Sequence, residues 1–279
     1  VPPVLRPYVT SIHGYRDAPD PGTVHHGLPS PTLTLVIAFD EPLDCGWLAT
    51  PQTHESRWVT SAGLHTRPAL IRTHGHQHGI QLALTPSGAR ALLGLPAAAL
   101  AGEIVAAEDL PPALVSAALS DRLGALPDWP SRFVALCDLV TGLLARADEG
   151  GGVSAELDEA WRILARTAGG IRVDDLAGHL GWGRRRLLER FRTEYGVGPK
   201  EAARLFRFDR ARSLADRGVP LAEVAATCGY ADQSHLTREW VAMAGRTPRD
   251  LRAGAYVNPP PVPAHSFKTG GQRLATVGP

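Results

Sequence analysis

Three consecutive arginines, Arg184, Arg185 and Arg186, are followed within a helical turn by Glu189 and Arg190. An arginine fork can donate two parallel hydrogen bonds to O6 and N7 of guanine, and a glutamate can accept one from N4 of cytosine. Further along, Gln233, Ser234, His235, Thr237 and Arg238 make a second, less basic set. Glutamine can read adenine in the same two-pronged way, and serine or threonine hydroxyls reach bases or phosphates. Base reading requires each set to lie on the exposed face of a helix whose N-terminal end enters a major groove. Without that frame, a run of arginines is simply a solvated surface.

The surrounding residues supply the frame twice. Val173-Asp-Asp-Leu-Ala-Gly-His-Leu-Gly-Trp182 precedes the first set, and Leu221-Ala-Glu-Val-Ala-Ala-Thr-Cys-Gly-Tyr230 precedes the second. The copies align at Leu176/Val224, Ala177/Ala225, Gly181/Gly229 and Trp182/Tyr230. After one extra residue in the second copy they align again at Leu187/Leu236 and Phe191/Trp240. In the first copy Val173, Leu176, Ala177 and Leu180 form the buried stripe of a supporting helix, with Asp174 and Asp175 favourable at its N-terminus. Gly181 permits a tight turn, and Leu187 and Phe191 anchor the second helix from beneath. Each copy therefore reads as a helix-turn-helix unit. Between them Pro199–Arg217 is predicted as one helix, with Ala202, Leu205, Phe206, Ala211 and Leu214 inward. Its nineteen residues span about 28 Å at ~1.5 Å each, close to the ~34 Å between successive major-groove faces. Arg204, Arg207, Arg210 and Arg212 of this segment are phosphate-contact candidates, with plain solvation as the other reading.

Charge is distributed to match. Residues 1–169 carry 11 basic against 17 acidic side chains, whereas residues 170–252 carry 16 against 11. An acidic half joined to a basic half fits a sensor attached to a nucleic-acid-binding module. The apolar runs are too short to span a bilayer, the first residues lack the layout of a secretory signal, and three scattered cysteines fit a reducing compartment. Residues 1 to about 95 alternate short apolar runs with Pro and Gly. Strands are predicted at Thr32–Phe39, Ala69–Thr73 and Gly79–Thr85, suggesting a small β-sandwich or barrel. Helices are predicted at Ser87–Leu93, with Ser87 as cap and Gly94 as stop, at Leu110–Leu123 and at Ser131–Arg146. The apolar face of the last helix, from Phe133 to Leu144, suits either packing on its own domain or self-association as a homodimer. The fold class expected is α+β: a sandwich or barrel domain with helices over residues 1–148, a Gly-rich hinge at 149–154, an all-α domain at 155–254 and a flexible tail at 255–279.

His74-Gly-His-Gln-His78 invites a metal reading, because an extended chain would place three imidazoles on one face. Gly75 and Gly79 favour a polar hairpin tip instead, and effector contact by His26, His74, His76 and His78 is the third reading. No nucleophile motif, phosphate loop or carboxylate pair stands out, so neither enzymatic activity nor a cofactor or resident metal is expected.

Residues 155–254 resemble the C-terminal domain of the AraC/XylS family of bacterial transcription regulators. The resemblance rests on Leu176-Ala-Gly-His-Leu-Gly-Trp, Arg185-Arg-Leu-Leu-Glu-Arg-Phe-Arg and Tyr195-Gly-Val-Gly-Pro-Lys in the first unit. In the second it rests on Ala225–Trp240 and Gly245-Arg-Thr-Pro-Arg-Asp-Leu-Arg. It implies base contacts near Arg185, Glu189, Gln233, Ser234 and Arg238. Gly183 departs from the family's usual serine or threonine cap, and Leu251 stands where an aromatic is common. The family's repair-type members carry a zinc-bound cysteine set that three scattered cysteines do not match. More weakly, His26-Gly-Leu-Pro-Ser, Gly79–Pro86 and Ala91-Leu-Leu-Gly-Leu-Pro resemble the cupin-like sensor domains of such regulators. The resemblance implies a cytoplasmic, nucleoid-associated regulator that binds double-stranded DNA and a small-molecule effector and, if an activator, contacts RNA polymerase, with no membrane partner. The alternative is a metal- or small-molecule-binding cupin enzyme with an appended DNA-binding domain.

Overall fold

Alternation of apolar and polar residues, as in Leu33-Thr-Leu-Val-Ile-Ala38, builds half-buried strands, and the N-terminal body has nine strands among the described residues. The computed structural model describes residues 1–20, 22–106, 110, 117–146 and 152–252. The strands are β1 (Val9–Asp17), β2 (Val24–Gly27), β3 (Leu33–Ala38), β4 (Leu43–Trp47), β5 (Glu55–Arg57), β6 (Val59–Ala62), β7 (Ala69–Arg72), β8 (Gln77–Leu84) and β9 (Ile104–Ala106). They make two antiparallel sheets, one in the order β1-β8-β3-β6-β9 and the other β2-β7-β4-β5. The five-stranded sheet buries Ile12, Leu33, Leu35, Ile37, Ile80 and Leu82 in one core with α1 (Pro86–Leu93), α2 (Ala117–Gly124) and α3 (Trp129–Leu144). Trp129 lies so close to β1 that a Cβ on Gly14 would sit 2.3 Å from its ring. Only glycine fits there.

The predicted strands are present, but β7 and β8 belong to different sheets. Residues 73–76 are therefore a crossing between sheets, not a hairpin tip, and His78 already lies in β8. Local sequence marks the turn, whereas strand partners are chosen by distant residues. Helix α1 begins one residue before the predicted start, because Thr85 rather than Ser87 accepts the capping bond, from the Gly88 amide at 2.9 Å. Gly94 closes it at φ 68°, as expected. Of the predicted Leu110–Leu123 helix, residues 111–116 lie outside the described residues, and Ala117 onward is helical. Helix α3 starts at Trp129 under an Asp128 cap and buries Phe133, Leu136 and Val140 on its own domain, leaving Val134 exposed. Residues 149–151 of the hinge and all of the 255–279 tail lie outside the described residues.

The C-terminal body is entirely helical over its described residues: α4 (Ala155–Arg166), α5 (Val173–His179), α6 (Arg184–Tyr195), α7 (Pro199–Asp216), α8 (Leu221–Thr227), α9 (Gln233–Ala244) and α10 (Pro248–Arg252). Ser154 caps α4. Helix α7 serves two cores. Its Ala202 and Ala203 join Leu157, Trp161, Leu176, Leu187, Phe191 and Tyr195, while Leu205, Phe208, Ala211 and Leu214 join Val224, Leu236, Trp240 and Met243. Phe208 is fully buried, whereas the predicted inner residue Phe206 is only half-buried and meets Trp161 edge-on at 5.3 Å. A helix gripped on two sides has no single inner face, which is why periodicity picked the wrong phenylalanine.

Candidate nucleic-acid interface

The two repeat units close their turns with the same backbone bonds. In the first, Gly181 stands at φ 63°, its amide reaches Gly178 O at 3.1 Å, and the Trp182 amide reaches Ala177 O at 3.0 Å. In the second, Gly229 stands at φ 71°, its amide reaches Ala226 O at 3.3 Å, and the Tyr230 amide reaches Ala225 O at 2.9 Å. The paired bonds satisfy carbonyls left open at a helix end, and the left-handed residue between them requires glycine. Leu187 and Phe191 in one unit, and Leu236 and Trp240 in the other, are buried beneath the following helix. Both α6 and α9 then end at a left-handed glycine, Gly196 and Gly245, and a proline opens the next helix. The repeat thus extends beyond the aligned segments.

On α6 the side chains of Arg184, Arg185, Arg186, Glu189 and Arg190 all face solvent. Arg184 pairs with Asp174 of α5, Arg185 Nε donates to Glu189 Oε1 at 2.8 Å, and the Arg186 guanidinium lies 4.7 Å from the Trp182 ring centre. The Glu189 hydrogen bond raises the Arg185 pKa further. Each partner holds a fork in place near the N-terminal end of the helix without burying it. Gly183 provides no side-chain cap, so the first amides of α6 stay open.

Helix α9 is organised differently. The extra residue of the second copy lets Asp232 occupy the cap position, where it accepts from the His235 amide at 2.6 Å. His235 folds back, its Nδ1 accepting from the Ala231 amide at 3.3 Å, and Thr237 donates to Gln233 O at 2.8 Å. Gln233, Ser234 and Arg238 remain exposed. Of the α7 arginines, Arg204 pairs with Glu239 of α9, Arg207 donates to Gly169 O at 3.3 Å, and Arg212 donates to Asp209 at 3.0 Å. Arg210 is exposed. Three of the four expected phosphate contacts are therefore engaged within the domain.

The four histidines do not assemble into one site. His26 Nδ1 lies 2.7 Å from Ala244 O at the end of α9, so this residue joins the two bodies. His74 is exposed with Nε2 3.2 Å from Asp44, whose other oxygen meets His54. His76 is exposed, while His78 is buried between Asp40, 2.9 Å from Nδ1, and Arg132, 3.1 Å from Nε2. The Asp40 bond places the proton on Nδ1, leaving Nε2 to accept from Arg132, and burial holds the His78 pKa down. Among the described residues no group of three ligating side chains converges as a metal site.

A cleft of about 1580 Å³ between the two bodies matches none of the sequence motifs. Ser11, His13, Thr34 and Gln81 of the five-stranded sheet form one wall, and Trp161, Phe206 and Arg212 of α4 and α7 face them. Helix α1 edges the cleft with Ser87 and Arg90. Ser87 donates to Asp158 of α4 at 2.8 Å, and Arg90 lies 3.4 Å from Glu194 of α6. None of these partners is near the other in sequence, so no local motif could announce them.

Paired helix-turn-helix units on one helical domain are joined here to a β-sandwich body. Residues 176–254 match the family model described as a helix-turn-helix domain. By that match the chain carries an AraC-type helix-turn-helix domain towards its C-terminal end, and its two-part architecture has the fold of ToxT. ToxT from Vibrio cholerae is 11% identical, with a TM-score of 0.54 over 86% of this chain and 97% of its own. Wild-type ToxT of strain SCE256 with bound unsaturated fatty acid is 13% identical, with a TM-score of 0.53 over 88% of this chain and 94% of its own. An AraC-type regulator from Chromobacterium violaceum is 26% identical over 35% of this chain and 89% of its own, with a TM-score of 0.34. At such identities the likeness to ToxT is one of fold. No curated protein matches the chain. No helix among the described residues is long and apolar enough to cross a membrane.

Proposed function

We propose that this chain is a sequence-specific transcription regulator, not an enzyme, which reads two adjacent major grooves with α6 and α9 and works inside the cell on double-stranded DNA. One observation carries the reading: two units with the same hydrogen-bonded turn present unburied base-reading side chains from helices tied to opposite ends of α7. The 18 residues of α7 span about 27 Å, near the ~34 Å repeat of the major groove. Arg185 and Glu189 on α6, and Gln233, Ser234 and Arg238 on α9, are the base contacts, with α6 supplying more of the affinity through its charge. Arg210 and Arg190 are the phosphate contacts, because each is exposed.

The interdomain cleft is the effector site in this reading. ToxT, of the same fold, has been seen with an unsaturated fatty acid, and by that analogy the cleft here takes a small molecule. The test is to incubate the full chain with fragmented genomic DNA at near-physiological salt and sequence what is retained. Two short conserved blocks about one helical turn apart are expected. Retention without a shared motif would refute base reading.

A further inference from the structure

Helices α6 and α9 are fixed to their domain by different means. In both, the third residue lies against the aromatic side chain of the preceding turn. The Arg186 guanidinium is 4.7 Å from the Trp182 ring centre, and the aligned His235 meets Tyr230 edge-on at 5.4 Å. Further along the two units part. Position 190 of α6 is an exposed arginine, and ring contacts among Trp161, Phe191 and Tyr195 seat that helix. The aligned position of α9 is Glu239, whose side chain is only 9% exposed and whose Oε1 pairs with Arg204 of α7. Its other oxygen lies 3.9 Å from His235 Nε2.

His235 is anchored in turn at the start of α9. Its amide donates to the Asp232 cap at 2.6 Å, and its Nδ1 accepts from the Ala231 amide at 3.3 Å. An accepting Nδ1 puts the ring proton on Nε2, the nitrogen nearer Glu239. A line of contacts therefore runs from α7 through a nearly buried carboxylate to the first turn of α9, and Arg207 of α7 adds to it by covering the Tyr230 ring. A carboxylate so dehydrated stays where its cation is, because a buried charge without a partner bears its full desolvation penalty.

We propose that Glu239 is the positioning residue of α9: tied to Arg204, it fixes the angle at which Gln233, Ser234 and Arg238 are presented, and so sets selectivity at one half-site without touching DNA. The inference rests on the two-groove reading and adds a brace that serves one groove only. Contacts to a ligand must be held to about 0.5 Å and 10–20° by groups that do not themselves touch it, and α6 carries an outward arginine where α9 carries this brace.

The block of the selected motif that belongs to α9 is the one whose selection weakens in Arg238→Ala. Wild type, Glu239→Gln, Arg204→Gln and the double variant are then compared by fluorescence anisotropy, well below their melting temperatures, on duplexes with single base-pair changes in either block. Each single variant should lose about fivefold or more of its discrimination within the α9 block, the lower end of what a displaced two-pronged contact costs, and keep the other block within about twofold. The double variant should lose no more than the worse single one, because all three remove the same interaction. Glu239→Gln is the milder change, since Arg204 at 34% exposure can turn to water, whereas Arg204→Gln strands a buried carboxylate. In the free chain, hydrogen exchange should quicken over residues 233–244 in both single variants and stay unchanged over 184–195.

Equal loss at both blocks, full discrimination in Glu239→Gln, additive losses in the double variant, or unchanged exchange over α9 would each overturn the brace. So would an Arg204→Gln that weakens every duplex alike with a shallower salt slope, the mark of a phosphate contact. A wild type that selects a two-block motif while the variants fail these tests keeps the regulator reading and loses the brace. One that selects no motif loses the reading itself, and the brace with it.

Discussion

Replacing Arg185 with alanine separates reading from folding. The side chain is 92% exposed and its partner Glu189 is 60% exposed. A pair so solvated contributes little to stability, so the melting temperature of Arg185→Ala should stay within about 1 °C of the wild type. Its place near the N-terminal end of α6 gives it access to a base edge, where a two-pronged guanine contact is worth roughly 5- to 150-fold in binding. The loss should therefore be large on the selected site and small on a site with the facing base pair changed. It should also leave the salt dependence nearly unaltered, whereas deleting a phosphate contact lowers that slope by about 0.9. The assay is fluorescence anisotropy with the selected duplex and its single base-pair variants at several salt concentrations, beside a thermal melt. A uniform loss across all duplexes with a shallower salt slope would make Arg185 a phosphate contact. A fall of several degrees would make it structural. Either result refutes the groove assignment.

Arg207→Ala should behave oppositely, because its guanidinium bonds to Gly169 O and covers the Tyr230 ring. A stability loss of about 1 kcal/mol in denaturant titration is expected, and unchanged stability with a lower salt slope would return it to the phosphate set. Gly169→Ala should cost roughly 2–5 kcal/mol, since φ is 72° and a Cβ would lie 1.9 Å from Ala203 O of α7. A melt within a degree of wild type would contradict that close approach. Burial, aided by His26, holds His25 neutral with its pKa lowered to about 4 from 6.5. The unfolded chain therefore binds the extra proton first, and stability should fall as pH drops from 6.5 towards 4, by on the order of 3 kcal/mol from this residue. Denaturation midpoints of wild type and His25→Gln should converge over that window; parallel curves would rule the histidine out.

The helical half of the molecule was legible because its signals are local. Gly181 and Gly229, the apolar stripes, and the arginines of α6 each act within a few residues of where they stand. The errors arose where the deciding partner is remote. Asp44 reaches His74 across 30 residues and Asp40 reaches His78 across 38, so a histidine cluster in sequence became two separate carboxylate contacts in space. Arg204 and Arg207, in sequence candidates for phosphate contact or plain solvation, bond to Glu239 and Gly169, 35 and 38 residues away. Thr85 caps α1 where Ser87 was expected, and Ser87, already inside the helix, donates to Asp158, 71 residues away. The cleft has no sequence signature at all, since its walls come from strands and helices that meet only after both bodies have formed.

Helices α6 and α9 both end on the N-terminal body, α6 at Gly196 against Ala98 and Ala101, and α9 at Gly245 against Leu48 and His26. With α7 joining them on the other side, the contacts close a mechanical circuit through the whole chain. On the proposed reading, a stretch of DNA whose two half-sites sit slightly too near or too far apart strains that circuit at those contacts. Thermodynamic linkage then works in both directions: a ligand that raises affinity for DNA by some factor is itself held more tightly, by that factor, once the DNA is bound. On the proposed function the operator is in this sense a second effector, and promoters that differ only in half-site spacing would set different small-molecule thresholds for one and the same protein.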